Sequence, residues 1–443
     1  MKNLKKILIA FFVVSLAVVT SCSKEDLTPS IDQQKTGEGS IKTTADMRGV
    51  LLGAYNRMGA SEYYGRNYII YGEVRTDNVF ANGNSGRFVA EGRFKLLPTF
   101  ADPNDTWLAM YRTIASANII IALDPAEVDG DIGEFNDYKG QALAMRALVH
   151  FDAMKLFGQM HTGGTLGVPY VTTYKGDDLF PSRNTIEEDK NFIIQDLKDA
   201  KALMSSSYDD PLRQMIGAAT PDALLSRVYL YFGMYPEARD AAKAVMDTQA
   251  FSVMSESNYV ASFATDGSSN TIFALANSET DNLGNTGLGY IYRGSAYGDI
   301  EVLQNAADLF EAGDVRGMGG IIGMEGSMIR NLGKYASLNG YDDINVVRYE
   351  EVLLNYAEAL WRINNADTNV IPTLNQITSK RGASPITSVD LDVILNERRK
   401  ELMFEGFRFD DLMRTGSDIE KIDANQGFTA TIPYGDFNLA FPI

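Results

Sequence analysis

Apolar residues recur at spacings of three and four along most of the chain, a period that predicts amphipathic helices. The clearest case is RYEEVLLNYAEALWRIN, which begins at Arg348. One face of this segment carries Tyr349, Val352, Leu353, Tyr356, Leu360 and Ile363, and a second flank carries Leu354 and Trp361. Because both flanks are apolar, neighbouring elements must cover the helix on two sides. Helices of this kind are typical of stacked helical hairpins.

Other segments repeat this pattern. YKGQALAMRALVHFDAMKLFGQM is also apolar on two sides. A first helix is predicted to start near Thr43, where Asp46 has the spacing of a capping box. Trp107 lies on the apolar stripe of another helix and is therefore predicted to be core, and Asn118 on the same face is predicted to be a hydrogen-bonded core amide. In the last helical segment, Thr387 and Asp390 have capping-box spacing and Gly406 a left-handed C-terminal position.

One helical hairpin can be read directly. Thr220 is the predicted N-cap and Pro221 the first helical residue, while Gly233 and Pro236 interrupt and restart the helix. Large residues on the first helix face alanines on the second, which resembles a tetratricopeptide unit. The predicted fold class is therefore mainly α, with tetratricopeptide-like helical hairpins in one bundle and a loop-rich ligand-binding face.

Two long segments, residues 62–100 and 251–336, show no helical period. The second contains TIFALA, a predicted short strand at residues 271–276. Both segments are rich in tyrosine, asparagine and glycine. Aromatic rings can stack on the C–H face of a sugar while amides bind its hydroxyls. The predicted ligand-binding residues are Tyr63, Tyr64, Asn78, Asn82, Tyr290, Tyr292 and Tyr297. The alternative for any single tyrosine is that it only packs its loop onto the body.

The N-terminus reads as a processing signal. Lysines precede an apolar run that ends well short of the roughly 20 residues needed to span a bilayer. Val-Thr-Ser-Cys then reads as a lipobox, with acylation expected at Cys22. The predicted domains are a lipoprotein signal peptide at residues 1–21, a lipid-anchored flexible tether at residues 22–42, and a binding domain at residues 43–443.

Composition narrows the chemistry. Cys22 is the only cysteine, so no internal disulfide or cysteine-based metal cluster can form. The formal net charge of −18 disfavours nucleic acid and a polybasic grip on an anionic membrane. Membrane attachment should therefore rest on acyl chains. His150 and His161 are the only histidines, and packed or surface positions are favoured for them over a metal site.

Three motifs in one order carry a family resemblance: RYEEVLLNYAEAL, LNQITSKRG and ILNERRKELMFEGFRFDDLMRTG. They resemble the C-terminal signature of SusD/RagB-type outer-membrane lipoproteins of Bacteroidetes. The helix that ends in Leu-Phe-Gly before GVPYVTT is similar to an internal motif of that family. The chain ends at Phe441-Pro442-Ile443, where that family usually continues with a further Pro-containing tail.

The resemblance implies a surface lipoprotein that captures nutrients and forms a lid on a SusC-like TonB-dependent barrel. It also implies a ligand site on the loop-rich side, so we expect the Tyr290 loop to face the Tyr63 cluster, with a mobile lid edge against the barrel as the alternative. Arg146 matches the family's arginine and is expected to pair with a buried carboxylate.

Three classes of function remain open from the sequence. The first is a glycan-binding lipoprotein, the second is the same scaffold binding oligopeptides, and the third is a secreted glycoside hydrolase. The hydrolase is disfavoured because no nucleophile elbow, P-loop or His-Glu-x-x-His motif is present. Arg398 and its charged neighbours fit a structural ion pair on a buried helix face better than catalysis. The expected cofactor and metal content is none.

Overall fold

The computed structural model describes residues 41–175 and 180–442. The predicted signal peptide, Cys22 and all but the last two residues of the predicted tether lie outside this range. The chain divides into two compact units, Met1–Lys42 and Thr43–Ile443, and every helix and strand below belongs to the second.

Helices dominate the described residues, and the mainly α fold class is confirmed. The longer helices are α1 (Thr44–Met58), α2 (Asn67–Val74), α4 (Ala101–Ile121), α5 (Ile132–Phe157), α6 (Ile186–Leu203), α7 (Thr220–Tyr231), α8 (Tyr235–Asp247), α12 (Tyr349–Ile363), α13 (Val370–Thr378), α14 (Leu391–Leu402) and α15 (Arg408–Arg414). The short ones are α3 (Val89–Gly92), α9 (Glu256–Tyr259), α10 (Leu288–Tyr292) and α11 (Gln304–Ala307).

The long helices pack as neighbouring pairs. Helix α4 packs on α5, α7 on α8, and α12 on α13, while α5 also contacts α6 and α12 contacts α8. The tyrosine, leucine and alanine stripes seen in the sequence form the contacts between them. This arrangement agrees with helical hairpins in one bundle, and the finer tetratricopeptide-like geometry stays a prediction.

Strands appear only as two-stranded antiparallel pairs among the described residues. They are β1 (Val79–Ala81) with β3 (Ile300–Val302), β2 (Thr271–Leu275) with β6 (Ile344–Arg348), and β4 (Ile322–Glu325) with β5 (Met328–Asn331). Strand β2 confirms the strand predicted at TIFALA. Strand β6 runs directly into α12, so the β2–β6 pair joins the loop-rich half to the bundle.

Several local predictions are confirmed. Thr43 and Asp46 form the capping box at the start of α1. Asn118 is fully buried and donates to the carbonyl of Val171. Arg146 makes a two-pronged ion pair with Asp196, with its Nε and Nη2 at 2.7 and 2.8 Å from the carboxylate oxygens. Asn118 and Arg146 thus each have the hydrogen-bond partner that removal from water requires.

Other local predictions are wrong. Helix α7 begins at Thr220 itself, whose hydroxyl accepts from the Gly217 amide instead of capping the helix. Asp390 alone caps α14: its carboxylate accepts from the Val393 amide. The predicted capping box between Thr387 and Asp390 is not formed. Trp107 was predicted to be core, but its side chain is half-buried. Its ring stacks on Tyr111 at a centroid distance of 4.4 Å.

Gly406 adopts the predicted left-handed conformation, with φ of 85°, but four residues beyond the end of α14. It meets α2 at Gly72, where an added Cβ would lie 2.1 Å from the Gly406 carbonyl oxygen. Only glycine allows the two backbones to approach this closely.

The three signature motifs supply a buried ion network. Arg348 precedes α12, Arg381 follows α13, and both donate to Glu401 and to Glu350 on α12; the distance from Arg381 Nε to Glu401 is 2.9 Å. Burial alone would raise the pKa of Glu401, but Arg381 and Arg348 outweigh it and hold that pKa well below its usual range. Arg398 likewise pairs with Asp411 at 2.8 Å, which confirms its predicted structural role.

Candidate ligand-binding surface

Strands β1 and β3 bring the two tyrosine- and asparagine-rich loops together. Phe80 lies opposite Glu301 in the antiparallel register, so the residues after β1 face the residues before β3. The loop after β1 spans residues 82–88, and the loop before β3 spans residues 284–299. We call the surface formed by these two loops the 82–88/284–299 surface.

Asn82 ties the two loops. Its Nδ2 donates to the Gly298 carbonyl at 2.7 Å and to Glu301 Oε1 at 2.6 Å, and its Oδ1 accepts from the Asn84 amide. Its donors and acceptor are therefore already engaged. Asn82 therefore shapes the surface, and its predicted direct contact with a ligand stays a prediction. Neighbouring Asn84 is exposed, and its side-chain amide makes only longer contacts of 3.3 and 3.4 Å with the opposite loop.

Tyr290 and Tyr297 form a half-buried aromatic wall on this surface. Their rings meet edge to face, with centroids 4.8 Å apart. The guanidinium of Arg87 lies 4.5 Å from the Tyr297 ring centroid and restricts its motion. These rings keep part of their area open to solvent, which is what a stacking partner requires.

A buried arginine shapes the loop from below. Arg330, on β5, is 1% exposed and its Nη1 donates to the carbonyls of Tyr292, Gly298 and Ile300. Because one cation binds three carbonyls across the loop, it fixes the backbone conformation between Tyr290 and β3. Tyr290 and Tyr297 belong to this fixed segment.

The predicted residues Tyr63 and Tyr64 lie elsewhere. They are 0% and 4% exposed, and both donate to Asp152 Oδ2 on α5, at 2.5 and 2.7 Å. Tyr68 donates to the other oxygen of the same carboxylate at 2.6 Å. Burial and the charge of Asp152 raise the pKa of Tyr63 well above its ordinary value. Direct ligand contact at Tyr63 and Tyr64 is therefore wrong for this structure, because neither ring reaches solvent.

Tyr292 and Asn78 are also buried, and the prediction of ligand contact fails for them for the same reason. Tyr292 is packed against Phe404 and Tyr335. Asn78 donates to Glu73 and accepts from Arg399 Nε at 2.7 Å. The expectation that the Tyr290 loop faces the Tyr63 cluster is corrected accordingly, since that loop pairs with residues 82–88.

Sequence reasoning missed Arg87, Ser85 and Asp299. Ser85 donates through its amide and its hydroxyl to Asp299, both at 2.8 Å, and so closes the far end of the surface. Ser85 lies within the Asn-Gly-Asn-Ser-Gly turn and Arg87 directly follows it, whereas nothing local in the sequence links Asp299 to that turn.

The histidines are structural. His150 is fully buried, its Nε2 accepts from the Val171 amide, and burial lowers its pKa to about 3. His161 contacts the hydroxyls of Tyr231 and Tyr434. Within the described ranges, no group of three or more His, Cys, Asp or Glu side chains is placed to hold a metal ion.

Comparison with known families decides the affiliation. Residues 320–436 match the model of the SusD family, and residues 26–230 match a related SusD-like model described as starch-binding and associating with the outer membrane. Together the matches cover more than half of the chain and include all three signature motifs. The chain belongs to the SusD family.

Relatives of this SusD-family chain align over almost their full length. A SusD-like protein of Formosa agariphila is 24% identical over 97% of this chain and 95% of the relative. A solved structure from Bacteroides vulgatus, described as a candidate sugar-binding protein, is 27% identical with a TM-score of 0.83 over 92% of this chain and 96% of that one. A SusD superfamily structure from Bacteroides thetaiotaomicron is 27% identical with a TM-score of 0.81, covering 90% and 96%.

In this SusD-family chain, none of the described helices is both long and apolar enough to cross a membrane. A hollow of about 670 Å³ lies away from the predicted residues, between residues 93–97 and 427–438.

Proposed function

We propose that this SusD-family protein captures oligosaccharides or polysaccharides on the 82–88/284–299 surface and delivers them to a SusC-like TonB-dependent transporter. The observation that carries the proposal is the half-buried pair Tyr290 and Tyr297 beside an amide-rich loop. The family model that matches residues 26–230 is described as starch-binding, and a relative of 27% identity is described as a candidate sugar-binding protein.

The surface chemistry suits a sugar. A pyranose presents an apolar face that stacks on an aromatic ring, and a rim of hydroxyls that needs hydrogen-bond partners. Tyr290 and Tyr297 offer ring area, and Asn84 and the backbone of the glycine-rich turn offer polar atoms. Because Arg330 and Asn82 hold the two loops in place, little conformational entropy is lost when a ligand binds.

Binding without catalysis is part of the proposal. The carboxylates at the surface are engaged by protein groups: Asp299 by Ser85, Glu301 by Asn82, and Glu325 by Arg293 at 2.9 Å. A glycosidase needs a pair of carboxyl groups free to exchange protons with substrate and water. The arrangement therefore favours a receptor.

Anchoring and partnership extend the proposal. Acylation of Cys22 would hold the protein on the outer membrane, in agreement with the family description of outer-membrane association. Metabolic labelling with a palmitate analogue tests this, with Cys22→Ser expected to abolish the label. Affinity capture of the full chain from its own membranes tests the partner, and we expect a TonB-dependent barrel in stoichiometric amount.

The central test is calorimetric titration of the protein from residue 23 onward with plant, host and microbial glycans beside a mixed oligopeptide pool. We expect saturable glycan binding that Tyr290→Ala or Tyr297→Ala reduces at least tenfold, since aromatic anchors dominate such interfaces. Tyr208→Ala, at an exposed tyrosine outside this surface, is the matched control. Binding of peptides alone would contradict the glycan proposal, and turnover of any glycan would contradict the receptor role.

A further inference from the structure

The 82–88/284–299 surface carries two arginines, Arg66 and Arg87, that donate no hydrogen bond to a carboxylate of the described residues. Arg87 Nη1 donates to Ser85 Oγ at 2.8 Å, and its nearest carboxylate oxygen, on Asp299, is 3.9 Å away, beyond hydrogen-bond distance. That carboxylate is already held by the amide and hydroxyl of Ser85. About a third of the Arg87 side chain is exposed, so its outer N–H groups point at solvent.

Arg66 is the second of these cations. Among the described residues its guanidinium donates only to Asn67 Oδ1, at 2.8 Å, and weakly to the Thr286 carbonyl, at 3.5 Å. Thr286 belongs to the same loop as Tyr290 and Tyr297, so Arg66 lies at the edge of the surface. No hydrogen bond from its Nη2 is found within the described part of the chain, and the residue as a whole is 9% exposed.

The other arginines around this surface are neutralised. Arg293 forms an ion pair with Glu325 at 2.9 Å. Arg330 is buried under three carbonyls and has Glu301 and Glu325 within 4 Å. Arg66 has no carboxylate partner within 4 Å in the described part of the chain, and Arg87 has only Asp299 at 3.9 Å, so these two arginines are the least fully paired on a surface of a chain whose formal net charge is −18.

The positive charge of Arg87 acts on Arg66. Burial, followed by the charge of Arg87, lowers the pKa of Arg66 below its ordinary value, while Glu62 and Asp102 act on it only as weaker, opposing charges. Like charges held together cost free energy unless an anion joins them.

The backbone directly after Arg87 has an unfavourable conformation that sustains this arrangement. Phe88 has φ of 60°, a left-handed conformation that non-glycine residues rarely adopt. This turn buries the Phe88 ring, against which Arg66 packs at 5.8 Å from the centroid, and leaves Arg87 on the outside against Tyr297. Strain of this kind persists where the surroundings enforce it, and it is concentrated at ligand sites.

We propose that the glycan recognised by this surface carries an anionic substituent, a carboxylate or a sulfate ester, which binds Arg87 and Arg66 while its ring packs on Tyr297. This inference rests on the proposed glycan-binding function and adds the charge class of the ligand. Arginine presents N–H groups in a planar fork that matches such oxyanions. Because charges are screened beyond about 8 Å at physiological salt, the local pair governs recognition despite the acidic chain.

The test uses matched ligands that differ only in charge. Oligogalacturonate is titrated beside its methyl ester, and a sulfated galactan oligosaccharide beside its desulfated form, so that the two arms identify the anionic group. We expect one charged ligand to bind at least tenfold more tightly than its neutral counterpart, and its affinity to fall as salt is raised from 50 to about 500 mM.

Arg87→Gln is expected to lower affinity for the charged ligand by about 10- to 100-fold, the range for losing a charged hydrogen bond, and to lower affinity for the neutral form by a much smaller factor, so that the preference for the charged ligand is lost. Arg87→Lys should recover only part of the loss. Arg239→Gln is the control, because Arg239 has similar side-chain exposure and pairs with Asp240 outside this surface. Arg66→Lys, which keeps the charge at a mostly buried position, should retain the native melting temperature.

Three outcomes are separable. Preference for a charged ligand that Arg87→Gln removes supports the inference. Equal binding of charged and neutral partners, or affinity unchanged in Arg87→Gln while Tyr297→Ala still abolishes binding, overturns it and leaves the proposed function intact. Absence of binding to every glycan overturns the proposed function itself.

Discussion

Two tyrosine clusters of similar composition lie in the two loop-rich segments, and they have opposite fates. Tyr63, Tyr64 and Tyr68 direct their hydroxyls at one buried carboxylate, Asp152. Tyr290 and Tyr297 pack edge to face at the surface and keep part of their rings in solvent. The first cluster locks a loop onto α5, and the second is available to a ligand.

The partner of the hydroxyl group makes the difference. Burying a phenol costs less free energy where its O–H finds an acceptor. Asp152 provides one for each of three tyrosines and is itself balanced by Lys155, whose Nζ lies 3.2 Å from it and 2.6 Å from Asp410. No such carboxylate is recorded as a hydrogen-bond acceptor for Tyr290 or Tyr297 within the described residues, and those rings stay at the surface.

The largest expected effect comes from removing the shared acceptor. Asp152→Ala leaves three buried hydroxyls without their acceptor and the Lys155 ammonium with Asp410 alone, so we expect a loss of roughly 3–5 kcal/mol in the free energy of unfolding. Urea denaturation followed by circular dichroism measures it. Asp247→Ala, at an exposed pair with Lys243, is the control and should change nothing measurable. A loss no greater than in the control would show that the hydrogen bonds to Asp152 do not stabilise the fold.

A second effect separates the clusters by pH. Burial, together with the charge of Asp152, raises the pKa of Tyr63, Tyr64 and Tyr68 well above the ordinary value. The folded state thus keeps protons that the unfolded state loses, so their contribution to stability is complete below pH 10 and falls above it, by roughly 1.4 kcal/mol per pH unit for each residue.

Tyrosinate absorbance recorded beside circular dichroism during alkaline titration measures this effect. The buried tyrosines should ionise in the same step in which the fold is lost, and Tyr64→Phe should reduce the amplitude of that step. Ionisation of all tyrosines before unfolding would contradict the buried assignment.

A smaller effect compares one hydroxyl from each cluster. Tyr64→Phe removes a buried hydrogen bond to a carboxylate and should cost about 1–2 kcal/mol of stability. Tyr297→Phe removes a half-exposed hydroxyl and should stay within about 0.5 kcal/mol of the native protein. Thermal melts of the two variants side by side decide it, and equal losses would erase the distinction between the clusters.

The smallest expected effect is local. Asn82→Ala removes the amide that bonds Gly298 and Glu301, so the loops should open more often by about 0.5–1 kcal/mol while global stability is retained. Hydrogen exchange of the amides at residues 82–88 and 296–302 measures the change, with exchange in α12 as the internal reference. Unchanged exchange at these loops would show that Arg330 alone holds the surface.

Much of the fold could be predicted because it follows from local periodicity. The apolar stripe from Tyr349 to Ile363 predicted α12, and TIFALA predicted β2. Arg146 and Arg398 were expected to pair with carboxylates, since a buried guanidinium requires one. Misses such as Thr220 and Trp107 arose where tertiary contacts replaced the local preference.

The site could be predicted only in part. Composition identified the loops, and Asn82, Tyr290 and Tyr297 do come together. It did not separate them from Tyr63, Tyr64, Asn78 and Tyr292, because a residue's burial depends on what lies opposite it. Asp152 is 89 residues from Tyr63 along the chain, and nothing local to either residue links them. Arg87 escaped notice because its significance lies in the absence of a close carboxylate.

By itself the sequence determined the helical period, the mainly α class, the loop-rich segments and the signature motifs that identify the SusD family. Those properties depend on residues near one another in the chain. The tertiary structure alone decided which tyrosines are buried, which loops meet across β1 and β3, and which arginines lack a hydrogen-bonded carboxylate. These outcomes depend on contacts between distant residues, where desolvation cost and available partners, not local spacing, select the final arrangement.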